Sequence, residues 1–352
     1  MKRKGAYLFV LLIAVISLLA GCGKEEGNKA YGSGLDEGDV IQLTVADSLS
    51  TSNDLSAQGM MYWMNRVEEL SDGRVQFTHF PAEQLGKAKS MLDYAKTGVA
   101  DVTYIGVGYV SEKMPLSGVG ELPGAASSST EATKAYWQVV QDVLYEEEYV
   151  KNKIKPMFTV VLPPYKVMTT KDPVLSTKDM KGLKLRSGGG TQSFVLNKLG
   201  ATPVTMSAPD TYTALERGTI DGVIFPSTSV KPYQLETIVD YITENSHLGS
   251  FVASYVINQE VYDNLPADIQ NILDQAASET QEHLSTHLDK VDHELKQLFM
   301  EAGVEYVELD SESVTEIEKT VENSWDQWAK ELDERGLKGT EVKEAFQKAL
   351  GK

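Results

Sequence analysis

Strand-like and helix-like stretches alternate along this chain in two separate blocks. Ile41–Ala46 (IQLTVA) alternates and is β-branched, so it reads as a strand. Ser52, Asn53 or Asp54 can cap the helix that carries Met60, Met61, Trp63, Met64 and Val67, and Ser71-Asp72-Gly73 stops it. Arg74–Phe80 is a second strand, Leu85–Thr97 a second helix and Val99–Ile105 a third, largely buried strand. The β-α-β-α-β order predicts a parallel sheet with crossover helices. After a long loop (111–130) and helices to about Tyr149, Lys155–Leu162 reads as a strand that leaves this unit, and Pro163-Pro164 marks a crossing. The second block has strands at Lys166–Thr169, Leu183–Leu185, Thr202–Val204 and Ile220–Ile224, with helices at Thr191–Leu199 and Asp210–Arg217. Phe251–Ile257 is apt to return to the first unit.

Two crossings between two α/β units describe a two-lobed clamshell, and more than 300 residues is too much for one core. Pro266–Ala302 is a long helical stretch that needs bracing against both lobes, and Tyr306–Glu308 adds a candidate strand. The predicted division is 40–162 plus about 250–290 for lobe I, and 163–249 plus about 291–335 for lobe II. A C-terminal helix covers 336–352, and the last two helical stretches, rich in Glu and Lys, read as peripheral.

The N-terminus specifies a compartment. Met1-Lys2-Arg3-Lys4 is a basic start, and Ala6–Ala20 is an apolar run too short for a comfortable span but of signal-peptide length. Leu19-Ala20-Gly21-Cys22 has the form of a lipoprotein cleavage site, and Cys22 is the only cysteine in the chain. The expectation is a signal peptide over 1–21, a lipidated Cys22 and a flexible tether to residue 39. The folded part then works outside the cytoplasmic membrane, anchored to it by lipid. Losing Met1–Gly21 removes three of the 33 basic residues and none of the 51 acidic ones, leaving a formal charge of −21. That charge argues against nucleic-acid binding, which needs a basic face. Any anion site must therefore be built by a few placed cations.

One such cation stands in Met180–Pro226. Leu183-Lys184-Leu185 delivers Arg186, then comes the turn Ser187-Gly188-Gly189-Gly190 and a helix. A guanidinium offers a planar fork of donors to a carboxylate, and a glycine turn before a helix N-terminus points free N–H groups at the same spot. An ordinary surface arginine before an ordinary βα turn explains the fragment equally well. Ligands of open α/β sheets bind at the carboxyl ends of strands. That places Ser48, Ser50, Tyr104, Gly106 and Tyr109 of the first block, and Lys166, Arg186 and Phe225 of the second, at a cleft. Tyr104 and Tyr109 read equally as core or rim aromatics. His283 and His287 share a helix face with metal-binding spacing, and His293 follows, but no H-E-x-x-H accompanies them and the helix is highly polar. A solvated face is the expectation, with no metal and no cofactor. Glu146-Glu147-Glu148 reads as a charge run on a helix, and no nucleophile or acid–base constellation stands out.

Two ordered sets of segments resemble a known family. The first is Gly73-Arg74-Val75 to Phe80-Pro81, Gln84-Leu85-Gly86 and Thr97–Val102. The second is Met180–Arg186, Leu199–Val204, Tyr212–Gly218 and Ile220-Asp221-Gly222. Together, behind a lipoprotein signal, they resemble the DctP-type solute-binding proteins of TRAP (tripartite ATP-independent periplasmic) transporters. The resemblance implies an α/β, two-lobed, type II periplasmic-binding-protein clamshell braced by a long helix. It implies no enzymatic activity, capture of an organic acid, and docking on a permease of a small and a large membrane subunit. It puts the family's carboxylate-binding arginine at Arg186 and a second cation at Lys166. Phe225 stands where many acid-binding members have Asn, and Ser207-Ala208-Pro209 replaces an aromatic, so Ala208 belongs to a reshaped pocket floor. These departures point to a monocarboxylate with an apolar body. A ligand-presenting subunit of a receptor is the alternative partner role, and an extracytoplasmic enzyme on the same scaffold a third.

Overall fold

The computed structural model describes residues 39–125 and 127–352, without the side chains of His293 and Val321. Met1–Gly21, Cys22 and the tether up to residue 38 lie outside the described residues. The strands are β1 (Ile41–Ala46), β2 (Val75–Phe80), β3 (Val102–Gly106), β4 (Ile154–Val161), β5 (Lys166–Thr169) and β6 (Lys184–Ser187). Then come β7 (Thr202–Thr205), β8 (Gly222–Phe225), β9 (Tyr241–Thr243), β10 (Val252–Asn258) and β11 (Glu305–Val307). They form two sheets of order β2-β1-β3-β10-β4 and β11-β9-β5-β8-β6-β7.

In the first sheet β1, β2 and β3 are parallel, and β10 runs antiparallel between β3 and β4. In the second, β6 is parallel to β7 and β8, while β5 runs antiparallel to β8 and β9. The burial of the central strands follows from their covering helices. All seven residues of β10 are buried, so its alternation is invisible and the segment reads as one apolar run.

The chain passes from the first sheet to the second after β4 and returns before β10. The two passages run side by side. Leu162 N donates to the Phe251 carbonyl over 2.9 Å, Tyr165 N to Gly249 over 2.8 Å, and Leu248 N to Tyr165 over 3.0 Å. Paired extended segments make a hinge that can twist without breaking either core.

The helices of regular α form are α1 (Met61–Leu70), α2 (Met91–Thr97), α3 (Ser129–Val139), α4 (Gly190–Lys198) and α5 (Thr211–Glu216). The later ones are α6 (Gln259–Asp263), α7 (Ala267–Glu301), α8 (Ser311–Glu334) and α9 (Gly339–Ala349). π-Helical segments at Leu55–Met60 and Val140–Tyr149 adjoin α1 and α3. Helix α7 has 35 residues and so is about 52 Å long. It packs against β4, α1 and α3 on the first sheet and against 227–229 beside the second. It is the brace the sequence leads one to expect.

Three expectations need correction. Leu85–Thr97 is not one helix: a short 3₁₀ turn at Ala88–Ser90 precedes α2. The last helices are not peripheral. Trp325, Trp328, Val342 and Phe346 are buried in the same apolar cluster as Ile105, Tyr136 and Val161 of the first lobe. Their Glu and Lys residues coat only the outer faces of amphipathic helices. Helix α8 is also shared between lobes rather than belonging to the second. Near its start Ser313 Oγ accepts from Thr177 N over 3.0 Å, and further on Trp325 Nε1 donates to the Pro123 carbonyl over 2.9 Å.

Candidate functional site

Arg186 is the penultimate residue of β6, flanked by β7 and β8, and it is 0 % exposed. Its Nε donates to the Met206 carbonyl over 3.1 Å, and Nη2 donates to Tyr109 Oη over 3.1 Å. Its guanidinium carbon lies 4.3 Å from the centroid of the Phe225 ring. Nη1 has no hydrogen-bond partner although it is buried. No carboxylate forms an ion pair with Arg186 among the described residues. Stacking on an aromatic face offsets part of the desolvation of a guanidinium, but a buried cation with only neutral acceptors is an expensive arrangement.

Glu121, 1 % exposed, is a buried acid that feels the charge of Arg186. Burial pushes its carboxyl up to about 8, against the pull of the Val252 and Gly108 amides and of Arg186. At neutral pH Glu121 therefore keeps its proton and does not neutralise the arginine. The charge of Arg186 is left for something else to meet.

The residues around it come from the ends of strands. Tyr109 follows β3, Ala208 follows β7, and Phe225 ends β8. Ala208 N donates to Tyr109 Oη over 3.1 Å. The Tyr109 ring packs on Phe251 at 5.1 Å, and Phe225 stacks on Tyr233 at 5.9 Å and 15°. Tyr233 Oη accepts from Asn53 Nδ2 over 3.2 Å, a further bond between the lobes. Tyr104 is buried edge-on to Tyr255 at 5.6 Å, and burial keeps its phenol well above the usual range. Tyr233, at the far end of the stack Tyr233–Phe225–Arg186, also lines a cavity of about 350 Å³ that neither Phe225 nor Arg186 reaches. Ser48 and Ser50 line it from the first lobe and Pro209, Tyr212 and Tyr233 from the second.

The structure thus brings Arg186, Tyr109, Ala208 and Phe225 into contact, buries Tyr104 against Tyr255, and puts Ser50 on the cavity that Tyr233 lines. Lys166 is elsewhere. Its Nζ donates to Ser227 Oγ over 3.0 Å, lies 3.5 Å from Asp292 Oδ2, and lines a cavity with His247 and Glu244. Its charge is already met there. Sequence reasoning missed Tyr233, Asn53 and the Met206 carbonyl. Tyr233 and Asn53 lie in loops after β8 and β1, so the strand-end rule reaches them once the loop is read far enough. A backbone carbonyl leaves no residue-type signal.

The glycine turn does a different job from the one expected. Gly188 N is taken by Gln192 Oε1 at 2.7 Å, and Gly189 N by Ser187 Oγ at 3.3 Å. Neither amide is offered to an anion. The turn instead presses against the first lobe: a Cβ on Gly189 would sit 2.8 Å from the Gly108 carbonyl oxygen. Thr191 Oγ1 and Gln192 Nε2 donate across to the Gly118 and Ser250 carbonyls over 3.1 and 2.8 Å.

His283 and His287 also depart from expectation, since they are half-buried rather than solvated. His283 stacks on Tyr62 at 4.0 Å and shares a hydrogen bond with Gln58 over 2.8 Å, while His287 is 3.5 Å from Asp54. They fasten α7 to the first lobe. Glu148 is not part of a solvated charge run: it is 3 % exposed and accepts from Leu116 N, Ser117 N and Ser117 Oγ at 2.5–2.8 Å. Among the described residues no group of three or more His, Cys, Asp or Glu is arranged to hold a metal ion. No described helix is long and apolar enough to cross a membrane.

Comparison with known proteins adds three findings. The family model described as "Bacterial extracellular solute-binding protein, family 7" matches residues 46–331. A curated solute-binding protein of Albidiferax ferrireducens is 24 % identical over 246 residues, covering 69 % of this chain and 72 % of that one. Among solved structures, a marine-metagenome TRAP solute-binding protein specific for aromatic acid ligands superposes with a TM-score of 0.82 at 23 % identity. It covers 88 % of this chain and 98 % of its own. A TRAP periplasmic solute-binding protein from Desulfovibrio salexigens, described as an open complex, gives 0.74 at 26 % identity over 88 % and 95 %. The likeness covers both lobes and the brace.

Proposed function

Since the chain belongs to the bacterial extracellular solute-binding proteins of family 7, we propose that it captures a monocarboxylate with an aromatic or apolar body and delivers it to a TRAP-type permease. One observation carries this reading: Arg186 is fully buried and, among the described residues, has no partner for Nη1 and no acid paired with it. A carboxylate supplies the missing charge and accepts from the fork. The surroundings set the rest of the ligand. Phe225, Tyr233, Tyr109 and Phe251 give aromatic surface. Lys166 is engaged by Asp292, so of the two cations Arg186 alone is left for a ligand, which suits one carboxylate rather than two. The aromatic-acid specificity of the metagenome relative agrees with that lining. Native mass spectrometry of protein purified without added ligand, then a thermal-shift panel, tests the reading. Benzoate-like acids are expected to raise Tm and succinate to leave it unchanged. Stabilisation by succinate alone, or by no acid, would overturn it.

The N-terminus fits delivery at a membrane surface. A diacylated Cys22 followed by a tether to residue 39 keeps the clamshell close to permease subunits while leaving it free to turn. Mass spectrometry of the membrane-fraction protein should find the mature chain beginning at Cys22 with acyl chains on it, and a mature N-terminus elsewhere or an unmodified Cys22 would refute the anchor.

A further inference from the structure

Several polar atoms buried around the carboxyl end of β1 have no hydrogen-bond partner among the described residues. They are Asp47 Oδ2 and Ser48 Oγ just after the strand, Ser56 Oγ in the π-helical segment beyond it, and His79 Nε2 near the end of β2. Buried polar atoms are hydrogen-bonded as a rule, so such a group marks a place built for something else to meet. Asp47 is the costly member. It is 0 % exposed, and its Oδ1 accepts from Leu49 N over 2.8 Å. Burial pushes its carboxyl up to about 6. The Leu49 amide pulls the other way, as does Ser56 Oγ, which stands close by but outside good hydrogen-bond geometry. At neutral pH Asp47 is therefore mostly ionised. His79 Nε2 is 3.9 Å from Oδ2, but burial lowers the imidazole below its usual range, so it stays neutral and brings no charge. No Lys or Arg pairs with Asp47 among the described residues.

This uncompensated anion on the first lobe faces the same tyrosines as the uncompensated cation on the second. The Tyr233 phenol is held up first by burial and then by Tyr109, while Arg186 pulls it down and Asp47 pushes it up. The Tyr104 phenol, raised by burial, feels Tyr109, Tyr233 and Asp47. Ser48 and Tyr233 line one cavity of about 350 Å³, so open space adjoins the group. A buried charge is expensive unless it is paired, and one molecule with a carboxylate at one end and a donor at the other relieves both ends. We propose that Asp47 reads a hydrogen-bond donor, an ammonium or a hydroxyl, on the ligand's apolar body, opposite the carboxylate held by Arg186. An acid with a plain hydrocarbon body would leave Asp47 buried and unmet, and would be disfavoured for that reason. A donor bound to an ionised acceptor is worth more than a neutral pair, so the discrimination is large.

The proposal narrows the ligand of the Arg186 seat and rests on the carboxylate reading above. Three acids of nearly one shape test it: ethylbenzoate, (hydroxymethyl)benzoate and (aminomethyl)benzoate, as free carboxylates, each in its 3- and 4-substituted form. In calorimetry with the wild-type protein, the hydroxymethyl or the aminomethyl acid should bind about 10- to 150-fold more tightly than the ethyl acid, the worth of a hydrogen bond to a charged group. A preference for the ammonium assigns a zwitterionic ligand, and a preference for the hydroxyl a hydroxy acid. Asp47→Asn keeps an acceptor for Leu49 N and removes the charge, and should cut the preference at least tenfold. The wild-type comparison stands by itself if that variant does not fold. Equal binding of the three acids by wild type overturns this proposal alone and leaves the unpartnered atoms to ordered water. So does a preference that Asp47→Asn leaves unchanged. If none of the acids binds, the carboxylate reading falls, and this proposal falls with it.

Discussion

Replacing Arg186 with methionine is expected to abolish acid binding while leaving the unliganded protein as stable as wild type, or more so. The two effects have opposite signs because one residue is costly without a ligand and indispensable with it. Arg186 is fully buried, its acceptors are the Met206 carbonyl and the Tyr109 phenol, and Nη1 is unpartnered. Exchanging a buried, unneutralised ion for an apolar side chain of similar length is often neutral or stabilising by about 1–4 kcal/mol. Removing the same ion from beneath a bound carboxylate costs about 2–5 kcal/mol, or roughly 30- to 5,000-fold in Kd. Differential scanning calorimetry without ligand and titration with the co-purified acid measure the two sides. A variant that binds the acid with unchanged affinity would remove Arg186 from the site. pH sharpens the case. The Glu121 carboxyl, held up at about 8 chiefly by burial, loses its proton above that value and becomes an internal anion near Arg186. Affinity for the acid should therefore fall as pH rises through about 8, and Glu121→Gln should flatten that fall.

The chain's architecture could be read largely from periodicity, because β-α alternation and a Pro-Pro crossing are local signals. Arg186 was legible for the same reason: a strand of three residues leads straight into it. Other features depended on tertiary partners. Trp325 and Trp328 sit on a helix whose other faces are charged, and only the fold shows that they complete the first lobe's core. His283 looks solvated until Tyr62 and Gln58 are placed beside it. Lys166 lies one strand from Phe225, paired with it in register, yet its ammonium ends on Ser227 and Asp292. Sequence spacing fixes where a backbone goes far better than where a four-carbon stem ends.

The glycine turn shows the same limit from the other side, and it leads to the second large effect. Gly189→Ala should leave the lobes folded but unable to shut, with affinity for the acid lowered about 5- to 150-fold. Gly189 has φ +102° and ψ −163°, a region that is essentially glycine-only and costs about 1–3 kcal/mol for other residues. Its added Cβ would lie 2.8 Å from the Gly108 carbonyl oxygen and 3.1 Å from Thr205 Cγ2. The Gly108 oxygen is backbone on the opposite lobe, so it cannot swing aside as a flexible side chain would. The cheapest relief is to part the lobes, which also pulls Tyr109 and Asn53 from their partners. Strain and clash can be separated from the other side of the contact. Gly108 is not in the left-handed region, and a Cβ there would lie 3.1 Å from the Gly188 carbonyl oxygen and 3.2 Å from Glu121 Oε1. Gly108→Ala should therefore weaken binding less than Gly189→Ala, with little change in the stability of the unliganded protein. Scattering with saturating acid would show an extended form for Gly189→Ala and a compact one for wild type. A compact, tightly binding Gly189→Ala variant would mean that closure does not bring this turn against Gly108, and that the turn is an ordinary βα connection after all.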